Sequence, residues 1–226
     1  MKTISREKEW GQVAKELEAE EIKLQSYDPT LLALCGDVKE KKIIDYGPGP
    51  GILAYALQKM GADVQAFDIV EEMRQACAQK IGVRNVFDSV AKIPKNSYDI
   101  VVCNLVVCIN DETETRFIAR NICDELKSGG FALVGFCNPN IFNIPESQLD
   151  IRFQTGARYE DSHIYKKIKK EGFYQILEWH RSLEWYKHVF EQSGLSVVEI
   201  AFTPEYDFQE KKIQDFVIFR LEKMEV

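Results

Sequence analysis

The stretch IIDYGPGPGILAYAL, from Ile43 to Leu57, decides the fold of this chain. It starts with residues typical of a buried strand, passes through three glycines at alternating positions and continues with residues that favour a helix. Glycines at Gly47, Gly49 and Gly51 let the backbone turn sharply from strand to helix and let a ligand approach the main chain. The stretch therefore predicts a strand, a ligand-binding turn and a helix.

Strand-like and helix-like segments alternate after this turn, which is typical of βαβ units and a parallel sheet covered by helices on both faces. The alternating segments are KKIIDYG, ILAYALQKMG, ADVQAFDI, VEEMRQACAQKIG, RNVFDSV, YDIVVCNLVV, ETETRFIARNICDELKSG and GFALVGF. Near the end, SLEWYKHVFEQSG predicts a helix that ends at Gly194, followed by the strands LSVVEIAF and KIQDFVIFRLEK. These last two strands read as a hairpin, which gives the sheet an antiparallel member.

Two segments do not follow this rhythm. The first forty residues predict helices and no strand, with apolar residues at helical spacing in EWGQVAKELEAEEIKLQ and a second start at Asp28 and Pro29. After Phe136 the chain becomes rich in Pro, Asn, Gly and aromatic residues, which predicts a long irregular lid or binding loop. Within it, KKIKK (residues 166–170) could bind an anionic substrate, but it reads first as a solvated helix face.

Composition narrows the classes of partner. The chain has 226 residues and a formal net charge of −7, which fits one α/β domain and argues against nucleic acid or an anionic membrane as a partner. It has no apolar run near the roughly 20 residues of a membrane span, and its N-terminus lacks the apolar segment of a secretory signal. The six cysteines form no CxxC pair and predict free buried thiols rather than a disulfide framework or a metal site. We expect a cytoplasmic monomer or homodimer.

Three acidic residues follow successive predicted strands. Asp45 lies two residues before the first glycine, Asp68 ends the second strand and Asp88 ends the third. Because ligands of open parallel sheets bind beyond the carboxyl ends of the strands, these acids should converge on one crevice. Asp68 could accept both hydroxyls of a ribose, Asp88 an adenine amine and Asp45 a positive charge. A ligand with all three groups is S-adenosylmethionine.

The motifs together resemble the class I S-adenosylmethionine-dependent methyltransferases, in the small-molecule branch of the type 11/12 kind. IIDYGPGPG resembles their first motif, FDIVEEM the acidic second one, and FDSVAKIPKNSYDIVVCNLVV the third and fourth together. ICDELKSGGFALVGF is similar to the helix, glycine turn and fifth strand that follow. The resemblance covers about residues 41–136 and resumes near residues 180–202. It implies methyl transfer to an O, N or C atom of a small molecule, with S-adenosylhomocysteine as the product.

The resemblance also implies a fold and a set of site residues. The fold is a Rossmann-like, doubly wound sheet of seven mostly parallel strands with an antiparallel last strand, N-terminal helices and a lid inserted after strand 5. Within one domain, residues 1–40 would be N-terminal helices, 41–137 the cofactor-binding core, 138–180 the lid and 181–226 the last helix and hairpin. The implied cofactor-binding residues are Asp45, Gly47, Gly49, Gly51, Asp68, Ile69, Met73, Asp88, Ser89, Asn104 and Leu105. No metal site is implied.

The proton acceptor is less clear from the sequence. Many relatives carry an acidic residue or histidine just after the fourth strand, where this chain has NLVVCIND with no obvious base. Methyl transfer from a sulfonium depends mostly on alignment and exclusion of water, so a base is not obligatory. His180 in WHRSLEWY is the first candidate, Tyr165 is a second, and a structural histidine cap is an equal alternative. Two further classes remain open: a non-catalytic nucleoside-binding protein and a nicotinamide oxidoreductase.

Overall fold

The computed structural model describes residues 2–4, 10, 28–144, 151–152, 154–169 and 174–224. The strands are β1 Lys2–Ile4, β2 Lys42–Tyr46, β3 Asp63–Phe67, β4 Val86–Phe87, β5 Tyr98–Asn104, β6 Leu126–Cys137, β7 Ile151–Arg152, β8 His163–Lys169, β9 Tyr174–His180, β10 Leu195–Phe202, β11 Tyr206–Phe208, β12 Lys211–Ile213 and β13 Phe216–Lys223. The α-helices are α1 Asp28–Cys35, α2 Ile52–Lys59, α3 Glu71–Ile81, α4 Glu112–Glu125 and α5 Leu183–Gln192. Short 3₁₀ helices span Val83–Asn85, Val90–Lys92 and Pro139–Asn143.

The main sheet has seven strands in the order β10-β13-β6-β5-β2-β3-β4. Strands β2 to β6 pair with one another in parallel, whereas β13 is antiparallel to both β6 and β10. The order reverses at β2, where β3 continues the sheet on one side and β5 on the other. The predicted fold class, a Rossmann-like sheet with an antiparallel last strand, is confirmed.

Helices cover both faces of this sheet. On one face, α4 and α5 bury Ile118, Ile122 and Phe190 against strand residues such as Val101 and Val134. On the other face, the first three helices bury an apolar set against the sheet; it includes Leu31, Leu53, Leu57 and Cys77. Burial of apolar surface on both faces makes this a doubly wound sheet and fixes the edge at which its strands end.

Two helices begin where local hydrogen bonds fix their first turn. At α4, Asp111 Oδ1 accepts a hydrogen bond from the Glu114 amide at 2.9 Å, while Glu114 Oε2 accepts one from the Asp111 amide at 3.2 Å. This reciprocal capping box satisfies amide groups that have no partner inside the helix. At α5, Ser182 Oγ accepts from the Trp185 amide at 3.2 Å. Both starts follow directly from the local sequence.

A second sheet lies in the segment that the sequence predicted to be irregular. Its order is β1-β9-β8-β7, with β8 and β9 antiparallel and β1 parallel to β9. The prediction of a structureless loop is therefore wrong for its described part. The prediction that no strand precedes residue 40 is also wrong, because Lys2–Ile4 pairs with β9. A strand of three residues depends on a partner far along the chain and has too few positions for a periodic pattern. The predicted helix over residues 9–25 lies outside the described residues, except for Trp10.

The helix predicted for KKIKK is a further correction, because residues 166–169 lie in strand β8. Ile164 in this strand is 37% exposed, whereas Lys167 is only 3% exposed. At these two positions the apolar residue is exposed and the charged residue is buried. Hydropathy alone therefore does not reveal the alternation of inward and outward side chains in this strand. The buried lysine has a partner that is described with the site below.

Two further features of the described residues are the state of the cysteines and the character of the helices. All six cysteines are free thiols, and five of them are buried. Across the described ranges, none of the helices combines the length and apolar character that a membrane crossing requires.

Candidate active site

The glycine turn connects β2 to α2 at the point where the sheet order reverses. The Gly47 amide donates to the Phe67 carbonyl at 2.8 Å, which joins the turn to the end of β3. Gly49 has a φ of +54°, and a Cβ atom built there would meet only Met73 Sδ, at 4.0 Å. The backbone at Gly49 is therefore open toward the space above the sheet, as a ligand-binding turn requires.

A cavity of about 660 Å³ lies above this turn. Its lining includes residues at the carboxyl edge of β2, β3 and β5 and three residues of strands β8 and β9 in the second sheet. The volume is in the range of sites that hold drug-sized ligands. The lining residues are Trp10, Asp45, Tyr46, Gly47, Pro48, Gly49, Pro50, Ile52, Leu53, Phe67, Asp68, Ile69, Val70, Met73, Val90, Asn104, Leu105, Val106, Ile109, Asn110, Glu114, Phe117, Ile118, Lys167, Ile176 and Glu178.

Two of the three predicted acids lie in this lining. Asp45 is 1% exposed and Asp68 is 8% exposed, so both residues are buried where they border the cavity. Asp68 Oδ1 accepts from the Val70 amide at 2.8 Å, and Oδ2 accepts from the Gly49 amide at 3.2 Å. These bonds fix the orientation of the Asp68 carboxylate and connect it to the glycine turn. Each oxygen can accept a second hydrogen bond from a ligand.

The end of β5 supplies a strained backbone and a polar atom. Leu105 has a φ of +58°, an unfavourable conformation for a residue with a Cβ atom, and such strain is often found at functional sites. Its neighbour Asn104 has a buried Oδ1 with no hydrogen-bond partner among the residues that the structure describes. Because a buried acceptor without a partner is unfavourable, Asn104 is suited to a ligand that donates a hydrogen bond.

The third predicted acid is placed elsewhere. Asp88 is not among the described residues that line the cavity, and its side chain is 60% exposed. It forms an ion pair with Lys92, at 2.8 Å between Nζ and Oδ1, and the hydrogen bond from Lys92 lowers the pKa of the Asp88 carboxyl. Ser89 caps the following 3₁₀ helix by accepting from the Ala91 amide. Recognition of adenine by Asp88 and Ser89 stays a prediction, and Val90 is the neighbour that reaches the cavity.

The part of the cavity lining that β8 and β9 provide carries a buried ion pair that the sequence did not reveal. Lys167 on β8 and Glu178 on β9 are in direct contact through Nζ and Oε1, and they are 3% and 1% exposed. Tyr165, one of the predicted catalytic residues, donates its hydroxyl to Glu178 Oε2 and is itself buried. Lys167 Nζ also donates to Cys137 Sγ at 3.3 Å. Tyr165 thus lies behind Glu178 and is not among the described cavity-lining residues.

Lys167 and Glu178 each stabilise the charged form of the other. Burial opposes ionisation of both groups, but the pKa of Glu178 stays below its ordinary value because of the Lys167 ammonium and the Tyr165 hydroxyl. The pKa of Lys167 is correspondingly raised well above its ordinary value despite burial. Burial raises the pKa of the Cys137 thiol to about 12, so this neighbour is neutral. The pair is therefore ionised at neutral pH, with zero net charge.

His180, the first candidate for the proton acceptor, lies outside the described cavity lining. It is 3% exposed, and its Nε2–H donates to the Tyr159 carbonyl at 2.8 Å. Its ring packs against Phe142 and His163, with centroid distances of 4.8 Å and 4.9 Å. The Tyr159 ring also packs against His180, with a centroid distance of 5.5 Å.

We expect His180→Ala to lower the free energy of unfolding by about 1 to 2 kcal/mol, because it removes a buried ring and its hydrogen bond. Turnover per folded molecule should remain within about threefold of wild type. A fall of about 10² to 10⁴ with intact cofactor affinity would instead support the proton-acceptor role. The matched control is His188→Ala, on the exposed side of α5, which should change neither quantity.

The pKa of His180 adds a pH test. Burial lowers it below 6.5, while the hydrogen bond to Tyr159 acts in the opposite direction. The neutral ring is thus the form favoured by the fold. Its stabilising contribution is complete above the unfolded pKa of 6.5 and is lost as the pH falls through that value toward the folded pKa. Denaturant titrations of wild type and variant below pH 6.5 should converge.

Gly51 differs from the other two glycines of the turn. It has a φ of +82°, and a Cβ atom there would approach Cys77 Sγ to 2.7 Å and Cys77 Cα to 2.9 Å. It is absent from the described lining of the cavity, so the structure uses it to pack α2 against α3. Its predicted contact with the cofactor is not tested and stays a prediction.

Substitution by alanine should separate these two roles. Gly51→Ala is expected to destabilise the fold by about 1 to 2 kcal/mol through strain and overpacking, with ligand affinity per folded molecule unchanged. Gly49→Ala has space for the methyl group but places it toward the cavity, so it should weaken ligand binding more than it weakens the fold. Chemical denaturation and calorimetric titration of the two variants measure both effects. Equal affinity losses in both variants would contradict this division.

Comparison with known proteins agrees with this geometry. Residues 44–134 match the sequence model of a methyltransferase domain family. The ubiquinone biosynthesis O-methyltransferase of Shewanella sp. is 28% identical over 143 residues, which span 60% of this chain and 60% of that protein. The ribosomal protein L11 methyltransferase of Dechloromonas aromatica is 35% identical over 107 residues, which span 45% of this chain and 34% of that protein. The matches thus cover less than two thirds of these relatives.

Solved structures extend the likeness to the whole fold. An S-adenosylmethionine-dependent methyltransferase from Mesorhizobium loti is 16% identical with a TM-score of 0.62, covering 86% of this chain and 96% of its own. The 1,6-didemethyltoxoflavin-N1-methyltransferase of Burkholderia thailandensis, solved with 1,6-didemethyltoxoflavin and S-adenosylhomocysteine, is 12% identical with a TM-score of 0.64; the match covers 97% of this chain and 87% of that chain. Residues 44–134 thus match a methyltransferase domain, and the whole chain shares the Rossmann-like fold of these solved structures, so the resemblance predicted from the sequence motifs is confirmed.

The described residues include no group of three or more His, Cys, Asp and Glu side chains that could hold a metal ion. The polar groups of the cavity are instead carboxylates, amides and one ion pair.

Proposed function

We propose that this protein transfers the methyl group of S-adenosylmethionine to a small-molecule acceptor. One observation carries the proposal: a single cavity joins the carboxyl edge of a class I methyltransferase sheet to a second wall built from β8 and β9. The first part has the groups that a nucleoside with an amino acid tail needs. The second part leaves a separate surface for an acceptor.

The residues at the carboxyl edge fit the cofactor chemically. Asp68 would accept hydrogen bonds from the ribose hydroxyls, and Asp45 would face the ammonium of the methionine part. Asn104 Oδ1, buried without a described partner, would accept from the same polar end. Ile69, Met73 and Leu105 provide apolar surface. When bound, S-adenosylmethionine supplies a methyl group on a positively charged sulfur.

The residues around the cavity would align the acceptor and exclude water during the methyl transfer. Ile176 of the second sheet packs with Val70 and Met73 of the core, so the wall closes over part of the cavity. Exclusion of water and alignment of the acceptor account for much of the rate in displacements of this type. We propose on this basis that the segment 138–180 acts as a lid that binds the acceptor.

Two of the relatives carry names that support a small-molecule acceptor, ubiquinone biosynthesis and 1,6-didemethyltoxoflavin, whereas another is named for ribosomal protein L11. The acceptor atom could be O, N or C. A net charge of −7 disfavours nucleic acid. Six free cysteine thiols support a reducing compartment, and on that basis we place the protein in the cytoplasm. A monomer or homodimer is part of the same proposal.

Calorimetric titration with S-adenosylmethionine, S-adenosylhomocysteine and NAD tests the proposal. We expect binding of the first two and none of NAD. Binding of NAD alone would favour the oxidoreductase alternative. Binding of both sulfur compounds, with no methyl transfer to any member of an acceptor library, would favour a non-catalytic binding protein.

A further inference from the structure

We infer that Lys167 and Glu178 form the recognition site for the acceptor, and that this acceptor is a neutral planar ring compound with a hydrogen-bond donor and a hydrogen-bond acceptor on adjacent atoms. A ring amide or its hydroxyl tautomer is the chemical class that fits. The inference rests on the proposed function, because it concerns the acceptor half of the same cavity.

The first step of the argument is position. Lys167 lies opposite Ile176 in the register of β8 and β9, and Tyr165 lies opposite Glu178. Side chains two residues apart in a strand share one face, so Tyr165, Lys167, Ile176 and Glu178 face the same side of the second sheet. Three of these residues, Lys167, Ile176 and Glu178, line the large cavity.

The second step is the cost of keeping two charges there. Two ionised groups that are 3% and 1% exposed lose nearly all their hydration. A buried ion pair is often no more stabilising than well-packed apolar side chains of similar volume. A pair that borders a ligand cavity, rather than the packed interior, thus points to recognition.

The third step is chemical complementarity. The Lys167 ammonium has three donors, of which Glu178 and Cys137 use two. The Glu178 carboxylate accepts from Lys167, Tyr165 and the Cys137 thiol, and of its roughly four lone-pair sites one is left for a ligand. The pair can therefore donate to one ligand atom and accept from its neighbour. Since its net charge is zero, a neutral ligand needs no counter-charge, whereas an extra carboxylate or amine would remain unbalanced.

The fourth step is the surrounding surface. Trp10, Ile109 and Ile176 line the cavity and form an apolar cluster with Val70 and Met73. An aromatic and aliphatic surface of this kind suits a flat ring with little polar edge. The polar edge of the ring would meet the ion pair, and its body would lie against Trp10, Ile109 and Ile176, while Met73 stays with the cofactor.

The roles of the residues follow from these contacts. Glu178 would accept the hydrogen bond from the N–H or O–H of the acceptor, and Lys167 would donate to the adjacent oxygen. The ring nitrogen or oxygen that carries this hydrogen forms a bond to the methyl carbon, and its proton passes to the Glu178 carboxylate. The bond between the methyl carbon and sulfur breaks, and its electron pair stays on sulfur. Tyr165 is a positioning residue, since it acts on the acceptor only through Glu178.

The test uses 2-quinolone as the probe, with 1-methyl-2-quinolone and quinoline-2-carboxylate as matched ligands that lack the donor or add a charge. Each is titrated into the full chain saturated with S-adenosylhomocysteine. We expect 2-quinolone to bind at least tenfold more tightly than either matched ligand. Equal binding of the two quinolones, or tighter binding of the carboxylate, would overturn the inference.

The matched variant is the double substitution Lys167→Met with Glu178→Leu. Removing one partner alone leaves an uncompensated buried charge, whereas replacing both by apolar side chains preserves volume and usually the fold. We expect the double variant to bind S-adenosylhomocysteine as wild type does, and to bind the two quinolones equally. Retained discrimination would show that the pair is only structural. Failure of the wild-type chain to bind S-adenosylhomocysteine at all would instead reject the proposed function.

Discussion

Replacing Asp68 by alanine is expected to weaken S-adenosylmethionine binding by about 1 to 3 kcal/mol, which is up to about 150-fold in Kd. The carboxylate is 8% exposed, lines the cavity and would accept from the ribose hydroxyls. It also accepts from the Gly49 and Val70 amides, so its loss removes one bond that holds the glycine turn and one at the start of α3. Calorimetric titration of the purified variant gives the affinity directly.

Asp88→Ala is the matched control for this experiment. Both residues were predicted from the same pattern, an acid at the end of a strand, but Asp88 is exposed and paired with Lys92. We expect the Asp88 variant to retain its affinity within about threefold. A loss as large as that of Asp68→Ala would return Asp88 to the site, and an unchanged affinity in Asp68→Ala with an intact fold would remove Asp68 from it.

Much of the sheet was predictable because its pattern is local. Strands β2, β3 and β5 are short apolar runs, each followed by turn residues, and the glycine turn identifies the first of them. The capping residues Asp111 and Ser182 fix the starts of two helices in the same local manner. Periodicity and turn chemistry suffice for such elements, because the sequence neighbours are also the structural neighbours.

The second sheet was not predictable by the same means. Strands β8 and β9 bury Lys167 and Glu178 beside Tyr165 and Ile176 and expose Ile164, so their hydropathy does not alternate as in a normal strand. The buried charges are stable only as a pair, and the partners are 11 positions apart on different strands. A sequence pattern read within a single strand cannot show this. The available signal was that Tyr165 and Lys167 on β8, like Ile176 and Glu178 on β9, are two residues apart and so share a face. This signal can be interpreted only when it is known that β8 pairs with β9.

The predicted site separates in the same way. Asp45, Gly47, Gly49, Asp68 and Asn104 come together in one cavity because parallel strands end at one edge. His180 and Asp88 have suitable chemistry, but their side chains point to other partners, the Tyr159 carbonyl and the Lys92 ammonium. Residue type and order along the chain indicate which groups could act, while packing decides where each one points.

Glu125 provides the prediction with the largest effect on stability. It ends α4, is 3% exposed, and its Oε2 has no hydrogen-bond partner among the described residues. Burial raises the pKa of its carboxyl from 4.5 to about 8, with the nearby Asp124 adding to the shift and Lys95 opposing it. The neutral acid is thus the form that the fold favours.

The direction of the pH dependence follows from this raised pKa. Below pH 4.5 the group is protonated in both states and imposes no penalty. As the pH rises from 4.5 to about 8, the unfolded chain releases this proton before the folded one does, and the free energy of unfolding falls. The full effect is on the order of 3 to 5 kcal/mol, at about 1.4 kcal/mol per pKa unit.

Glu125→Gln removes the ionisation while keeping nearly the same shape. We expect the free energy of unfolding of wild type, measured by urea denaturation, to fall relative to that of the variant by about 3 to 5 kcal/mol between pH 4.5 and 8.5. The difference between the two curves isolates Glu125, because all other titrating groups are shared. Because the comparison uses the change in the free energy of unfolding with pH, any pH-independent effect of burying the new side-chain amide in the variant Glu125→Gln cancels. Parallel curves across this range would show that Glu125 ionises in the folded protein as it does in the unfolded chain, with a solvated or paired carboxylate in place of the buried one described above.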